Sequence, residues 1–126
     1  MKVILDTNFF LIPEKFKVDL FKEFNRIIDE KYTLVTVEPV IEELNCLSEG
    51  NGKDARAARV GLKLFKGKDL KVLKTKEGNA DKAILELSEK ISNCAVATLD
   101  KDLRIKSEKR GAKTIYLRSK NYLVLK

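Results

Sequence analysis

The sequence predicts an α/β fold: three layers, α/β/α, around a central parallel sheet. Two observations carry that expectation. Short apolar runs alternate with segments of helical periodicity, the pattern of successive βαβ units. Acidic residues follow four of those runs, as Asp6 follows Val3-Ile4-Leu5. In a parallel sheet every strand ends, and every following helix begins, at the same edge. That edge is where open α/β sheets bind their ligands.

Val3-Ile4-Leu5 makes the first strand and runs into Asp6-Thr7-Asn8. Residues 16 to 30 carry Leu20, Phe21, Phe24, Ile27 and Ile28 at helical spacing, so one face of a helix packs on the sheet. Tyr32 to Val37 forms the second strand. Pro39 falls in the first turn of the next helix, where no backbone N–H is needed. Val40, Ile41, Leu44 and Leu47 define the buried face of that helix. This register turns Glu42 to solvent and leaves Glu43 on the flank, within reach of the strand-end crevice. Ser48 to Gly52 is a turn-rich break, and a third helix runs from Lys53 to about Phe65.

Leu70 to Leu73 reads as a third buried strand. Asn79 caps the helix that follows, with Asp81 in its first turn and Ala80, Ala83, Ile84, Leu87 and Ile91 facing inward. Ala95 to Leu99 is a fourth strand ending on Asp100. Asp102 to Arg110 is a short helix closed by Gly111, and Lys113 to Leu117 is a fifth strand. Tyr122 to Leu125 suits an edge strand or an interface segment equally. The 126 residues read as one domain without repeat or linker.

Composition narrows the chemistry. Twenty-six Lys and Arg against 19 Asp and Glu give a net charge of +7. With four acids turned toward one rim, the remaining surface is more basic still, and it suits a polyanion such as nucleic acid or simply a soluble lysine coat. The chain has no histidine, which excludes a Ser-His-Asp triad and any histidine acid–base pair. Hydrolysis must then run on carboxylates, metal-bound water or lysine. Cys46 and Cys94 are too few for a zinc motif or disulfide framework and read as buried thiols in a reducing cytoplasm. No apolar stretch approaches a membrane span.

Each acid has an ordinary alternative: Asp6 a turn residue, Asp81 a helix-dipole acid, Asp100 an N-cap, Glu42 and Glu43 surface charges. Gathered at one rim, Asp6, Glu43, Asp81 and Asp100 repel one another unless protonated or neutralised by a cation. Hard divalent ions such as Mg²⁺ want such oxygen ligands. Thr7, Asn8 and Thr98 are placed to orient the carboxylates or their waters. Lys53, Arg56, Arg59, Lys63 and Lys66 make one basic helix face, either solvated or tracking phosphates.

The chain resembles the PIN-domain ribonucleases over nearly its whole length. The resemblance lies in Leu5-Asp6-Thr7-Asn8, Pro39-Val40-Ile41-Glu42-Glu43-Leu44, Asn79-Ala80-Asp81 and Ala97-Thr98-Leu99-Asp100-Lys101-Asp102-Leu103. It implies strand order 3-2-1-4-5 and a Mg²⁺- or Mn²⁺-dependent endoribonuclease. Its acidic quartet falls on Asp6, Glu43, Asp81 and Asp100, with Asp102 an additional acid for the metal. The implied products carry 5′-phosphate and 3′-hydroxyl ends. Within the family the chain resembles both VapC-type toxins, restrained by an antitoxin protein, and single-domain archaeal relatives of ribosomal-RNA processing nucleases. A homodimer is compatible with either.

Three other readings compete. A phosphoacceptor receiver domain wants its acceptor Asp after the third strand and paired acids after the first, where this chain has one. A Toprim-type fold, suggested by Asp100-Lys101-Asp102, needs Glu in place of Asp6. A non-catalytic RNA-binding module would not require four acids at the rim.

Overall fold

The computed structural model describes residues 1–126. Its single six-stranded sheet has the order β3-β2-β1-β4-β5-β6. The strands are β1 (Lys2–Leu5), β2 (Thr33–Val37), β3 (Lys71–Leu73), β4 (Cys94–Ala97), β5 (Lys113–Arg118) and β6 (Tyr122–Leu125). The first five are parallel and in the expected order. β6 resolves the ambiguous last segment: it turns back antiparallel on β5, extending the sheet by one edge strand.

Strand β1 lies in the middle, and Val3, Ile4 and Leu5 are each fully buried. That is why its sequence is a continuous apolar run and not an alternation: both faces are covered by helices. The opposite holds at β3. Its three residues read as a buried strand, but it is an edge strand and Val72 stands 45% exposed.

The helices are α1 (Ile12–Phe16), α2 (Leu20–Ile27), α3 (Glu38–Ser48), α4 (Lys53–Lys66), α5 (Ala80–Lys90) and α6 (Lys101–Lys109). A 3₁₀ turn over Thr7–Leu11 leads directly into α1. The expected helix over 16–30 is therefore shorter and preceded by a second one. Lys17 adopts a left-handed backbone at φ 54°, which ends α1, and the Asp19 side chain accepts from the Lys22 N–H to start α2. Asn79 caps α5 in the same way, and Gly111, at φ 90°, follows α6 as expected. On α3 the buried face is Pro39, Val40 and Leu44, while Leu47 is 37% exposed and outside the core cluster.

The core is one cluster of 31 buried residues. Aromatic packing holds the 3₁₀ turn against it: Phe9 stacks on Phe24 at 6.2 Å, and Phe10 meets Phe65 of α4 at 4.6 Å. Gly61 of α4 lies against this turn so closely that a Cβ there would sit 2.1 Å from the Phe10 carbonyl oxygen. Only glycine allows that approach. At the far edge, Glu23 and Arg26 of α2 form an ion pair that grips the outward main chain of β6. Glu23 accepts from the Leu123 N–H at 2.8 Å and Arg26 donates to its carbonyl at 2.8 Å. No helix is long and apolar enough to cross a membrane. Cys94 is buried, but Cys46 is exposed on α3, so only one thiol follows the expectation.

Candidate active site

Register brings the acidic residues to one rim. Leu5 pairs with Ala97 and Ile4 with Val35, so Asp6 stands level with Thr98 and with Val37, the residue before α3. Val37 pairs with Leu73, so β3 ends at this rim as well.

Asp6 is 5% exposed. Its Oδ1 accepts from the Thr7 N–H at 2.8 Å and its Oδ2 from the Thr98 hydroxyl at 2.6 Å. Both bonds favour the carboxylate, but burial prevails and pushes the group up from 3.8 to about 6, with Asp81 and Glu43 adding repulsion. Asp81 stands near the surface on the first turn of α5. Its carboxyl is raised by partial burial first, then by Asp100 and Glu43, against the pull of Lys106. Charges from α3, α5 and α6 thus converge on the strand end: Glu43 acts on both Asp6 and Asp81, Asp81 on Asp6, and Asp100 on Asp81.

Glu43 is exposed on α3, where its Oε2 accepts a short hydrogen bond from the Thr7 hydroxyl. Glu42 is exposed and makes no side-chain hydrogen bond. Asp100 is half-buried and caps α6, its Oδ1 accepting from the N–H groups of Asp102 at 2.9 Å and Leu103 at 3.3 Å. The capping reading of Asp100 is therefore realised alongside its place at the rim. Asp102 is exposed in the first turn of α6 and is not among the charges acting on Asp6 or Asp81.

The three neighbouring polar residues divide their work. Thr98 is fully buried; its hydroxyl donates to Asp6 and accepts from the Asp100 N–H at 3.0 Å. Thr7 ties Glu43 to the strand end. Asn8 orients no carboxylate: its Oδ1 accepts from the Leu99 N–H at 3.0 Å and fastens the segment between β4 and α6. Lys106, the cation acting on Asp81, carries no sequence signal, because only the fold brings it there.

No three acidic or thiol side chains stand close enough to form a ready-made metal cage. The donor set still suits a hard cation. It is all oxygen, it is charged, and Mg²⁺ keeps several waters and needs only one or two carboxylates.

The basic stripe of α4 is partly spent on structure. Arg59 donates to the carbonyls of Ser48 at 2.7 Å and Gly50 at 3.3 Å, closing the end of α3, and Arg56 pairs with Glu14 at 3.3 Å. Lys53, Lys63 and Lys66 are exposed and form no ion pair. Lys53 and Arg56 also line a basic cleft with Glu14, Lys15 and Lys17.

A family model described as a PIN-like domain matches residues 3–120. The chain is 33% identical over 124 residues to Ribonuclease VapC4 of Methanocaldococcus jannaschii, covering 96% of this chain and 93% of that protein. Among solved structures it is similar to the PIN domain endonuclease Utp24, with a TM-score of 0.82 and 26% identity over 99% of this chain and 90% of that one. A domain of a functionally unknown protein from M. jannaschii matches at TM-score 0.55 and 18% identity, over 94% of this chain and 91% of its own, a likeness of fold alone.

Proposed function

This chain belongs to the PIN-like domain family, and on that premise we propose that it is a divalent-cation-dependent endoribonuclease working through Asp6, Glu43, Asp81 and Asp100. The observation that supports this reading is the gathering of these acids at one rim, where burial raises both Asp6 and Asp81 and the neighbouring carboxylates raise them further. A rim of this kind is relieved by a bound cation. Mg²⁺ or Mn²⁺ is the reading that the oxygen donors support, with Asp6, Asp81 and Asp100 as ligands and Asp102 at the margin. When bound, the cation supplies positive charge to the scissile phosphate and acidifies water for in-line attack.

The protein groups have distinct tasks. Thr98 and the Thr7 N–H fix both oxygens of Asp6, so that carboxylate is oriented before any ligand arrives. Thr7 occupies Oε2 of Glu43 and leaves Oε1 to accept a proton from the attacking water. Lys53, Lys63 and Lys66 supply charge for the RNA backbone, with Arg56 and Arg59 supporting the surface that carries them.

The similarity to Ribonuclease VapC4 favours RNA as substrate; to that we add a cytoplasmic toxin role, with an antitoxin protein as partner and a homodimer as one assembly. A role in RNA maturation is the other candidate, and a small DNA-binding or basic protein encoded immediately upstream would decide for the toxin. The test is direct. Purified protein should cleave RNA in Mg²⁺ or Mn²⁺, stop in EDTA and leave 5′-phosphate ends, and Asp6→Asn should be inactive. Cleavage that survives EDTA, or that leaves 2′,3′-cyclic phosphates, rules the reading out.

A further inference from the structure

Of the six arginines in the chain, four are committed to protein partners. Arg26 binds Glu23 and the Leu123 carbonyl, Arg56 binds Glu14, Arg59 closes α3, and Arg110 pairs with Glu89 at 3.0 Å. The other two, Arg104 and Arg118, meet no carboxylate and share one aromatic ring. The Arg104 guanidinium lies 4.1 Å from the centroid of Tyr116. That of Arg118 lies 5.9 Å away, and one of its N–H groups reaches the Tyr116 hydroxyl at 3.3 Å.

A guanidinium resting on a ring uses its flat face and keeps its in-plane donors free. Held in this way it has already given up side-chain freedom, and its fork matches a phosphate bidentately. Arg104 against the ring face, and Arg118 tied by one N–H to the ring's hydroxyl with its other donors free, form an anion site with no carboxylate between them.

The position of the cluster gives the anion its context. Ala97 pairs with Ile115, so Tyr116 stands level with Thr98, the residue that holds Asp6. The Arg104 N–H donates to the Asp100 carbonyl in the first turn of α6. The cluster therefore borders the acidic rim on its β5 side. Four carboxylates repel a polyanion, and a strand drawn across them needs cations beside them. We propose that Arg104 and Arg118, braced on Tyr116, clamp a backbone phosphate of the RNA strand adjacent to the linkage being cleaved. The identity of that strand rests on the ribonuclease reading; the clamp itself rests on the three side chains.

The test follows a fluorescent single-stranded RNA by anisotropy across a salt series, using the whole chain in EDTA. The Arg104→Ala/Arg118→Ala double variant should flatten the plot of log affinity against log salt by about 0.7, the amount for one phosphate left unneutralised on a single strand. Its Mn²⁺ binding, read by electron paramagnetic resonance, should match wild type. Tyr116→Leu keeps both charges but removes their brace, so affinity should fall several-fold with the slope retained. A double variant with the wild-type slope overturns the clamp, as does wild-type protein without affinity for RNA. The ribonuclease reading fails separately. Wild-type protein that binds RNA but does not cleave it in Mg²⁺ or Mn²⁺ ends that reading and leaves the clamp standing.

Discussion

Thr98 donates its hydroxyl proton to the Asp6 carboxylate at 2.6 Å across two neighbouring parallel strands. The same oxygen accepts from the Asp100 N–H, so one buried threonine sets the positions of two acids. Thr98→Val removes the donor and leaves the Asp100 N–H without its partner, at a cost of about 1–3 kcal/mol. Because the Thr98 bond holds Asp6 down, its loss should move the acidic limb of the pH–rate profile to higher pH. Cleavage should fall about 10–100-fold, the range typical of groups that orient metal ligands. An unmoved acidic limb would show that Thr98 only packs.

Asp6 also predicts how stability varies with pH. Its carboxyl is raised from 3.8 to about 6, chiefly by burial. Between those values the folded chain holds a proton that the unfolded chain has released. The Asp6 contribution is therefore greatest below pH 4, is lost as pH climbs toward 6, and stays lost above. The full difference is of order 3 kcal/mol. Asp6→Asn should abolish cleavage yet make the metal-free protein more stable at pH 7. Urea denaturation of both proteins at pH 4 and pH 7 isolates the effect as a difference of differences. A variant less stable than wild type at pH 7 would contradict it.

Glu42 and Glu43 should separate cleanly. Glu43 is held by Thr7 and adds to the repulsion on Asp6 and Asp81, whereas Glu42 touches neither. Glu43→Gln should eliminate cleavage with little change in melting temperature, and Glu42→Gln should cleave at close to the wild-type rate. The reverse pattern in an RNA cleavage assay would mean that α3 presents the wrong residue to the rim.

Gly61→Ala should destabilise the chain by about 1–3 kcal/mol or more, because a Cβ at 2.1 Å from the Phe10 oxygen forces α4 and the 3₁₀ turn apart. That turn follows Asp6 directly, so activity should fall with stability. Gly67→Ala is the control: nothing lies within 4 Å of its Cβ and its φ of −91° suits alanine. Thermal melts that rank the two variants equally would refute the close-approach argument.

The stripe on α4 should divide by residue. Replacing Lys53, Lys63 and Lys66 by Ala should lower the salt dependence of RNA binding by about 0.7 for each phosphate left unneutralised. Arg59→Ala should leave that dependence unchanged and reduce stability, since it removes the donor that closes α3. A salt slope that moves only with Arg59 would invert the assignment.

What a sequence discloses here follows a physical division. Strand order comes from the resemblance in short motifs, and the strand ends and helix starts that make the rim come from periodicity and capping residues, all features carried by neighbouring residues. The turn over Thr7–Leu11 is not legible, because Phe9 and Phe10 look alike to any local pattern and only Phe24 and Phe65 give them their places. Exposure at β3 and Leu47 escapes for a similar reason: apolar spacing marks a face but not whether anything covers it. Arg59 looks like one cation in a row until the end of α3 is brought beside it.

The grip of Glu23 and Arg26 on Leu123 makes the two margins of the sheet unequal. At β6 the outward main chain already has its donor and acceptor at the midpoint, so an incoming strand finds no partner there. At β3 the margin is open and short. Strand-to-strand association between copies can then use only like with like, β3 against β3, an arrangement that closes on itself after two chains. Growth by the head-to-tail addition that builds fibres needs two complementary margins, and this sheet offers one.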